Sequence, residues 1–304
     1  MSSELGSGDG AAERPIRRLS AALYRRPRLK LALLLVGPLG WLVGIYLVSL
    51  ATLLVYGFWQ YNDFTSSIDR IWSLTNFRTI FTDPDPTLRN VAIRTVKIAA
   101  LVTVLDALIA FPLAYYMTRI ARGSTRRLLL LGILMPLFSS YLVRVYAWRL
   151  ILDDQGALSW SLERLGLHGV HLGFTQTAVL IVFVYLWLPF MVLPVYGALE
   201  RIPGGLLEAS GDLGGKGFTT FRRVVLPLAL PGVIAGSIFT FSLTLGDFLT
   251  PVLVGNTQFI GNVIYSDVGT AGNLPAAAAY ATVPIGIMAV YLLVARRLGA
   301  FESL

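Results

Sequence analysis

Apolar and polar positions in this chain come in long blocks, not at the short periods of a soluble core. One apolar run covers residues 31 to 56, and five more follow at about 91 to 118, 128 to 150, 175 to 199, 227 to 250 and 276 to 295. Each approaches the roughly 20 residues that a helix needs to cross a hydrocarbon layer of ~30 Å. The pattern predicts an all-α integral membrane protein with six transmembrane helices. The first run exceeds the ~7 to 15 residues of a secretory signal core and lacks a small-residue cleavage site, so it is expected to remain as helix 1. The blocks divide the chain into a polar tail at 1–30 read as disordered, helix 1 at 31–57, an external loop at 58–90 with an Asp-Pro-Asp-Pro turn at 83 to 86, a core at 91–297, and a short end at 298–304.

Charge then sets an orientation. Arginine and lysine collect in the tail, at 119–127 (Arg119, Arg122, Arg126, Arg127), in the stretch after Glu200 (Arg201, Lys216, Arg222, Arg223) and at Arg296 and Arg297, whereas 151–174 and 251–275 carry Arg164 alone. By the positive-inside rule both termini are expected in the cytoplasm. The composition, 55% hydrophobic and 14% charged, lies far from the ~25% charge of soluble domains. The net charge of +8 sits in blocks beside apolar runs, which is a topological signal and not a nucleic-acid footprint. The chain has no cysteine, which excludes disulfides, thiolate metal sites and thiol nucleophiles. His168 and His171 have no carboxylate at metal-ligand spacing.

The stretch from Glu200 to Pro231 is polar and glycine-rich, yet patterned. Pro203 suits a first helical position, and Leu206, Leu207, Ser210 and Leu213 share one helical face, with Glu208 and Asp212 on the other. Gly214 and Gly215 predict a left-handed helix stop. Phe218 to Arg223 then predicts a second amphipathic turn before Leu226-Pro227 enters the membrane. Apolar side chains on an aqueous face call for a partner. The run Gly211 to Gly217 is not a phosphate loop, because Ser210 and Gly217 stand where that motif needs Gly and Ser or Thr.

Glu208-Ala209-Ser210, Gly214 six residues after the Glu, nine further residues and then Val224-x-Leu226-Pro227 resemble the EAA loop of the permease subunits of binding-protein-dependent type I ABC importers. That family's pattern is E-A-A-x-x-x-G, nine residues, I-x-L-P; Ser210 and Val224 are the departures. The resemblance covers about residues 90 to 295. Phe111-Pro112-Leu113-Ala114-Tyr115, Tyr141-Leu-Val-Arg144-Val-Tyr146-Ala-Trp148 and Gly246-Asp247-Phe248-x-x-Pro251 are similar to the B-type subunit of the spermidine/putrescine branch. It implies a bacterial inner-membrane permease, not itself an enzyme, with no cofactor of its own. A dimer of ABC ATPase subunits would supply ATP and Mg, with a second permease chain of a different sequence and an external binding protein as further partners. It also implies that the loop at 200–227 couples to the ATPase through Leu207, Glu208, Ala209, Ser210, Asp212, Leu213, Gly214, Phe218 and Phe221. Similar permeases carry phosphonate, thiosulfate or ferric ion.

Ionisable residues inside spans are candidates for function. Asp106 falls near the middle of the second span, where the resemblance leads one to expect an apolar residue; it is read as a solute contact or as a partner for Arg144. A polyamine cargo asks for carboxylates to pair ammonium groups and for aromatic faces. Asp106, Asp247, Tyr141, Tyr146, Trp148 and Trp187 supply these types, with Arg144 in a gating or structural role. From the residues alone an ion-gradient transporter using Asp106 and Arg144 as a relay stays open.

Overall fold

A computed structural model describes residues 27–82, 87–166 and 171–297. Residues 1–26, the Asp-Pro-Asp-Pro turn, His168 and the carboxyl-terminal end lie outside the described residues, whereas residues 27–30, read as the end of a disordered tail, already belong to the first helix. The chain divides into two compact units at Tyr56/Gly57. The described residues of the first are continuously helical: α1 (Pro27–Trp41), a π-helical stretch Leu42–Leu47, and α2 (Val48–Tyr56).

The second unit opens with a small antiparallel hairpin, β1 (Gln60–Asn62) and β2 (Ser67–Asp69), with Tyr61 opposite Ile68. Helix α3 (Thr75–Thr82) follows, and its Asn76 amide donates to the carbonyls of Gly57 and Trp59 at 3.0 and 2.7 Å. The loop read at 58–90 thus has a strand pair as well as a helix.

The heart of the unit is a triplet of long helices, α4 (Thr87–Arg119), α8 (Gln176–Glu200) and α11 (Leu226–Gly246). On α4 the buried positions are Val91, Thr95, Ala99, Val102, Thr103, Asp106, Ala110, Ala114 and Met117, a stripe at helical spacing. Its small residues let neighbouring helices approach closely, the usual device where lipid removes the hydrophobic drive. Helix α8 starts at a built cap, with Thr175 Oγ1 accepting from the Ala178 N–H at 3.1 Å. On α11, Gly232 and Gly236 face Pro194, Ala198 and Met191 of α8 so closely that an added Cβ would lie 2.4 and 2.6 Å from the nearest atom. The Gly-x-x-x-Gly spacing is therefore a real contact.

Around this triplet lie α5 (Gly123–Leu134), α6 (Tyr141–Leu152), α7 (Ala157–Arg164), α12 (Leu249–Gly255), α13 (Ile260–Gly269) and α14 (Leu274–Arg297). Helix α14 is tied to α4 by the Tyr280 hydroxyl, which donates to the Leu88 carbonyl at 2.8 Å. Among the described residues five helical stretches are long and apolar enough to span a membrane: Leu34–Tyr56, Thr87–Arg119, Gln176–Glu200, Gly217–Gly246 and Leu274–Arg297.

The stretch expected as a continuous helix at 128–150 is broken, and makes a sixth span only if the bent pair is taken as one. It is a pair, Gly123–Phe138 and Tyr141–Arg164, bent by 100° at the break. Pro136 cannot donate to the helical ladder, and the chain tightens into a 3₁₀ turn at Met135–Phe138. Ser139 and Ser140 then run extended, the Ser139 hydroxyl donating to the Pro136 carbonyl at 2.8 Å. By contrast, α4, α8, α11 and α14 run unbroken through Pro112, Pro189, Pro194, Pro231 and Pro284.

Candidate solute cleft and docking loop

The break after Phe138 sets Tyr141 at the start of α6, facing the end of α11. There Tyr141, Trp187, Ser242, Leu243, Gly246, Asp247, Phe248 and Leu249 line a cleft of about 340 Å³. Tyr141 stacks on Trp187, ring centroids 6.1 Å apart and planes 10° from parallel. Asp247 is 8% exposed and ends α11. Its Oδ1 accepts from the Leu249 and Thr250 N–H groups at 2.8 and 3.0 Å, opening α12, while Oδ2 accepts from the Thr250 hydroxyl at 3.2 Å and from the Tyr141 hydroxyl. A carboxylate offers about four acceptor positions; the two N–H groups and the Tyr141 hydroxyl fill three, and the Thr250 hydroxyl, also 2.7 Å from the Tyr141 oxygen, has one proton for the two.

Thr250 and Asn262 were not singled out from the sequence, yet they complete this end. Asn262 accepts from the Phe259 N–H at 2.8 Å and donates to the Phe248 carbonyl. Thr95 of α4 accepts from the Ile260 N–H at 3.1 Å and donates to the Val91 carbonyl at 2.8 Å. The available signal was Asp247-x-x-Thr250, an acid three residues before a hydroxyl at a helix start.

The other pathway candidates scatter. Tyr146 is 48% exposed away from the cleft, and Trp148 packs on Tyr185 at 5.2 Å. Asp106 is fully buried on the α4 stripe, one turn beyond Thr103, whose hydroxyl meets that of Thr240 on α11. Both its carboxylate oxygens lack a hydrogen-bond partner, as do the buried Nε and Nη1 of Arg144. The Asp106–Arg144 pair that the sequence allowed is not formed: among the described residues the ion pairs are Arg126–Glu200 and His171–Asp154. The two groups sit in different places, Asp106 inside the triplet and Arg144 on α6 beyond the break.

At the opposite end of the triplet lies the patterned loop. Helix α9 (Gly204–Asp212) begins one residue after Pro203, which stands at the cap position with φ −62° and ψ 139°. It ends in a Schellman closure: the Gly214 N–H donates to the Gly211 carbonyl and the Gly215 N–H to the Ser210 carbonyl, both at 2.8 Å, with Gly214 at φ +79°. Gly215 has no room for a side chain, since a Cβ there would sit 2.6 Å from the Ser210 carbonyl oxygen. The Ser210 and Thr220 hydroxyls bond at 2.8 Å, joining α9 to α10 (Gly217–Thr220), which passes through a π turn at Phe221–Val225 into α11.

Leu213 and Phe218 are 90% and 74% exposed. Leu213 lines, with Leu206, a groove of about 470 Å³ on the outer surface of the loop, and Phe218 stacks on Phe221 with ring centroids 6.5 Å apart. Glu208, Ala209, Asp212 and Gly214 are exposed. Leu207 and Phe221 instead turn inward onto the core cluster of Ala110, Ala114, Met191, Val195 and Leu199, Phe221 edge-on to Phe111 at 5.6 Å. The loop set read from the sequence thus divides into an outward-facing group and two side chains that fix the loop to the triplet.

Comparison with known proteins agrees with this architecture. Residues 106–301 match the family described as binding-protein-dependent transport system inner membrane component. The inner membrane ABC transporter permease protein YdcU of Escherichia coli (strain K12) is 46% identical over 301 residues, covering 94% of this chain and 95% of that one. The spermidine/putrescine transport system permease protein PotB of the same organism is 32% identical over 230 residues, 74% of this chain and 82% of that one. In three dimensions the chain is similar to a chain of a bacterial alginate ABC transporter solved with an alginate-bound periplasmic protein, with TM-score 0.71 at 18% identity over 93% of this chain and 97% of that one. It also resembles a chain of the MetNI methionine ABC transporter in an inward-facing form, with TM-score 0.52 at 19% identity over 70% and 96% of the two. The chain belongs to the binding-protein-dependent transport system inner membrane component family, as an ABC importer permease subunit of the type I fold.

Proposed function

We propose that this chain forms half of the translocation pathway of an ATP-driven importer for small organic cations of the polyamine type, and that α9 seats on a cytoplasmic ATPase subunit. The observation that carries the coupling half is the outer face of the loop. A helix closed at a left-handed glycine holds Leu206 and Leu213 out along a groove, and Phe218 of α10 is exposed nearby in sequence, where isolated apolar side chains need cover. Two ATPase subunits would bind ATP and Mg, a second permease of different sequence would complete the pathway, and an external binding protein would deliver the solute. Both termini and the loop then lie in the cytoplasm. The cation half is supported by the stacked Tyr141–Trp187 pair beside Asp247 and by the PotB relatives.

In the assembled transporter, Glu208→Lys and Gly214→Trp are expected to release the ATPase while the chain still inserts in the membrane. Copurification of the ATPase at wild-type levels with both variants would overturn the coupling role. A second reading, an importer of the same class for an anion such as phosphonate or thiosulfate, is favoured by Arg144, whose Nε and Nη1 are buried with no acceptor. Binding of putrescine, spermidine, phosphonate and thiosulfate to the cognate binding protein separates the two.

A further inference from the structure

The loop end of the triplet carries two arginines that the docking surface does not use. Arg119, in the last turn of α4, donates from Nη2 to the carbonyls of Leu199 and Ile202, both at 2.9 Å. The Leu199 carbonyl belongs to the final turn of α8 and that of Ile202 lies two residues past its end, where helical partners run out, and Leu199 and Ile202 are 0% and 5% exposed. Arg126, in the first turns of α5, donates from Nε to the Tyr196 hydroxyl at 2.6 Å and from Nη2 to that hydroxyl and to the Glu200 carboxylate. Its guanidinium also lies over the Tyr196 ring, 5.2 Å from the centroid. The last turn of α8 is therefore gripped from two sides, by helices joined through residues 120–122.

The grip lies where the loop leaves the membrane unit. Ile202, one of the gripped residues, is followed by Pro203, whose φ is fixed by its ring, and α9 begins at the next residue. Leu207 on α9 packs against the same α4–α8 core. Pushing α9 therefore loads the end of α8, and the two arginines pass that load to α4 and α5. The planar fork suits the task, since one guanidinium nitrogen reaches two carbonyls and another group spans a hydroxyl and a carboxylate.

Resting on the coupling role proposed above, we infer that Arg119 and Arg126 are positioning residues, a clamp that makes the α9 loop and the α4–α5 corner move as one body. Neither lines the Tyr141–Asp247 cleft or the groove on the outer surface of the loop.

The test exploits the absence of cysteine. Nitroxide labels are placed on Ser124→Cys in α5 and Lys216→Cys after α9, both exposed. Their separation is measured by pulsed electron resonance in the complete reconstituted transporter, nucleotide-free and trapped with ATP and vanadate. With the native arginines the distance is expected to stay the same in both states. In Arg126→Gln and Arg119→Gln it is expected to shift or broaden on trapping, with ATPase copurification unchanged. The charge swap Arg126→Glu with Glu200→Arg is expected to restore the fixed distance, which a variant that merely misfolds cannot do. An invariant distance in both glutamine variants overturns the inference, as does a distance that changes with the arginines in place, or a swap that restores nothing. Failure of the native-arginine chain to bring down any ATPase is a different result: it removes the coupling role, and the clamp with it.

Discussion

Gly232 offers the sharpest test of the helix triplet. Replacing it with Ala puts a methyl 2.4 Å from the Ala198 Cβ and 2.6 Å from the Pro194 carbonyl oxygen. Ordinary contact begins at 3.4 Å, so α8 and α11 must part by about 1 Å. The Pro194 oxygen is backbone and cannot rotate away. Overpacking of this kind costs about 1–3 kcal/mol, against a helix-propensity gain of only about 0.5–1 kcal/mol for Gly→Ala. Melting followed by the fluorescence of the six tryptophans in detergent should fall by up to about 10 °C, at about 2–4 °C per kcal/mol for a large chain, and should lie roughly 2–12 °C below that of a glycine-to-alanine control without the clash. Gly286→Ala on α14 is the control, because nothing lies within 4 Å of its added Cβ; it should melt at or above the native temperature. Adding Ala198→Gly to Gly232→Ala removes the 2.4 Å contact but not the one to Pro194, so rescue should be partial. If Gly232→Ala melts together with Gly286→Ala, the close packing of these helices is refuted.

Two further predictions use the same melt. Asp106→Leu removes a fully buried carboxylate whose oxygens have no partner and should raise stability by about 1–3 kcal/mol; a lower melting temperature would show that Asp106 holds a favourable contact. Tyr141→Phe deletes one of the donors to Asp247 and should cost about 1.5–3 kcal/mol, whereas Tyr146→Phe, at a ring 48% exposed, should be neutral; equal melting of the two would mean the Asp247 network contributes nothing.

How much the sequence reveals depends on the range of the signal. Six apolar blocks are visible because hydropathy sums over a whole span. The same summing hides the 100° break, since Pro136 and two serines are outvoted by their neighbours. The loop is legible in detail because a glycine stop is a local event: Gly214 at φ +79° needs nothing from the rest of the chain. Even so, which of Leu206 and Leu207 faces outward depends on the core that α9 meets. The cleft is the least legible part. Tyr141 and Asp247 are 106 residues apart, and no short-range pattern announces that they bond. Pairing Asp106 with Arg144 used charge sign alone, while contact is decided by the helix face each occupies.

The filled state of Asp247 bears on what the cleft does. Three acceptor positions are taken by the Leu249 and Thr250 N–H groups and the Tyr141 hydroxyl, and the fourth faces the Thr250 hydroxyl, whose one proton Asp247 shares with the Tyr141 oxygen, so an ammonium group pairs with this carboxylate only by displacing a hydroxyl. That exchange trades one charge-assisted bond for another and leaves little net gain. What the cleft offers without rearrangement is the aromatic surface of Tyr141 and Trp187, a contact of about 0.5–2 kcal/mol for a cation. On the proposed pathway role, a site so constructed would pass a solute along instead of holding it tightly, as a pathway must if the solute is to leave on the far side. Under that same proposal, discrimination between cargoes would fall to the protein that delivers the solute, while Asp247 fixes Tyr141 and the start of α12.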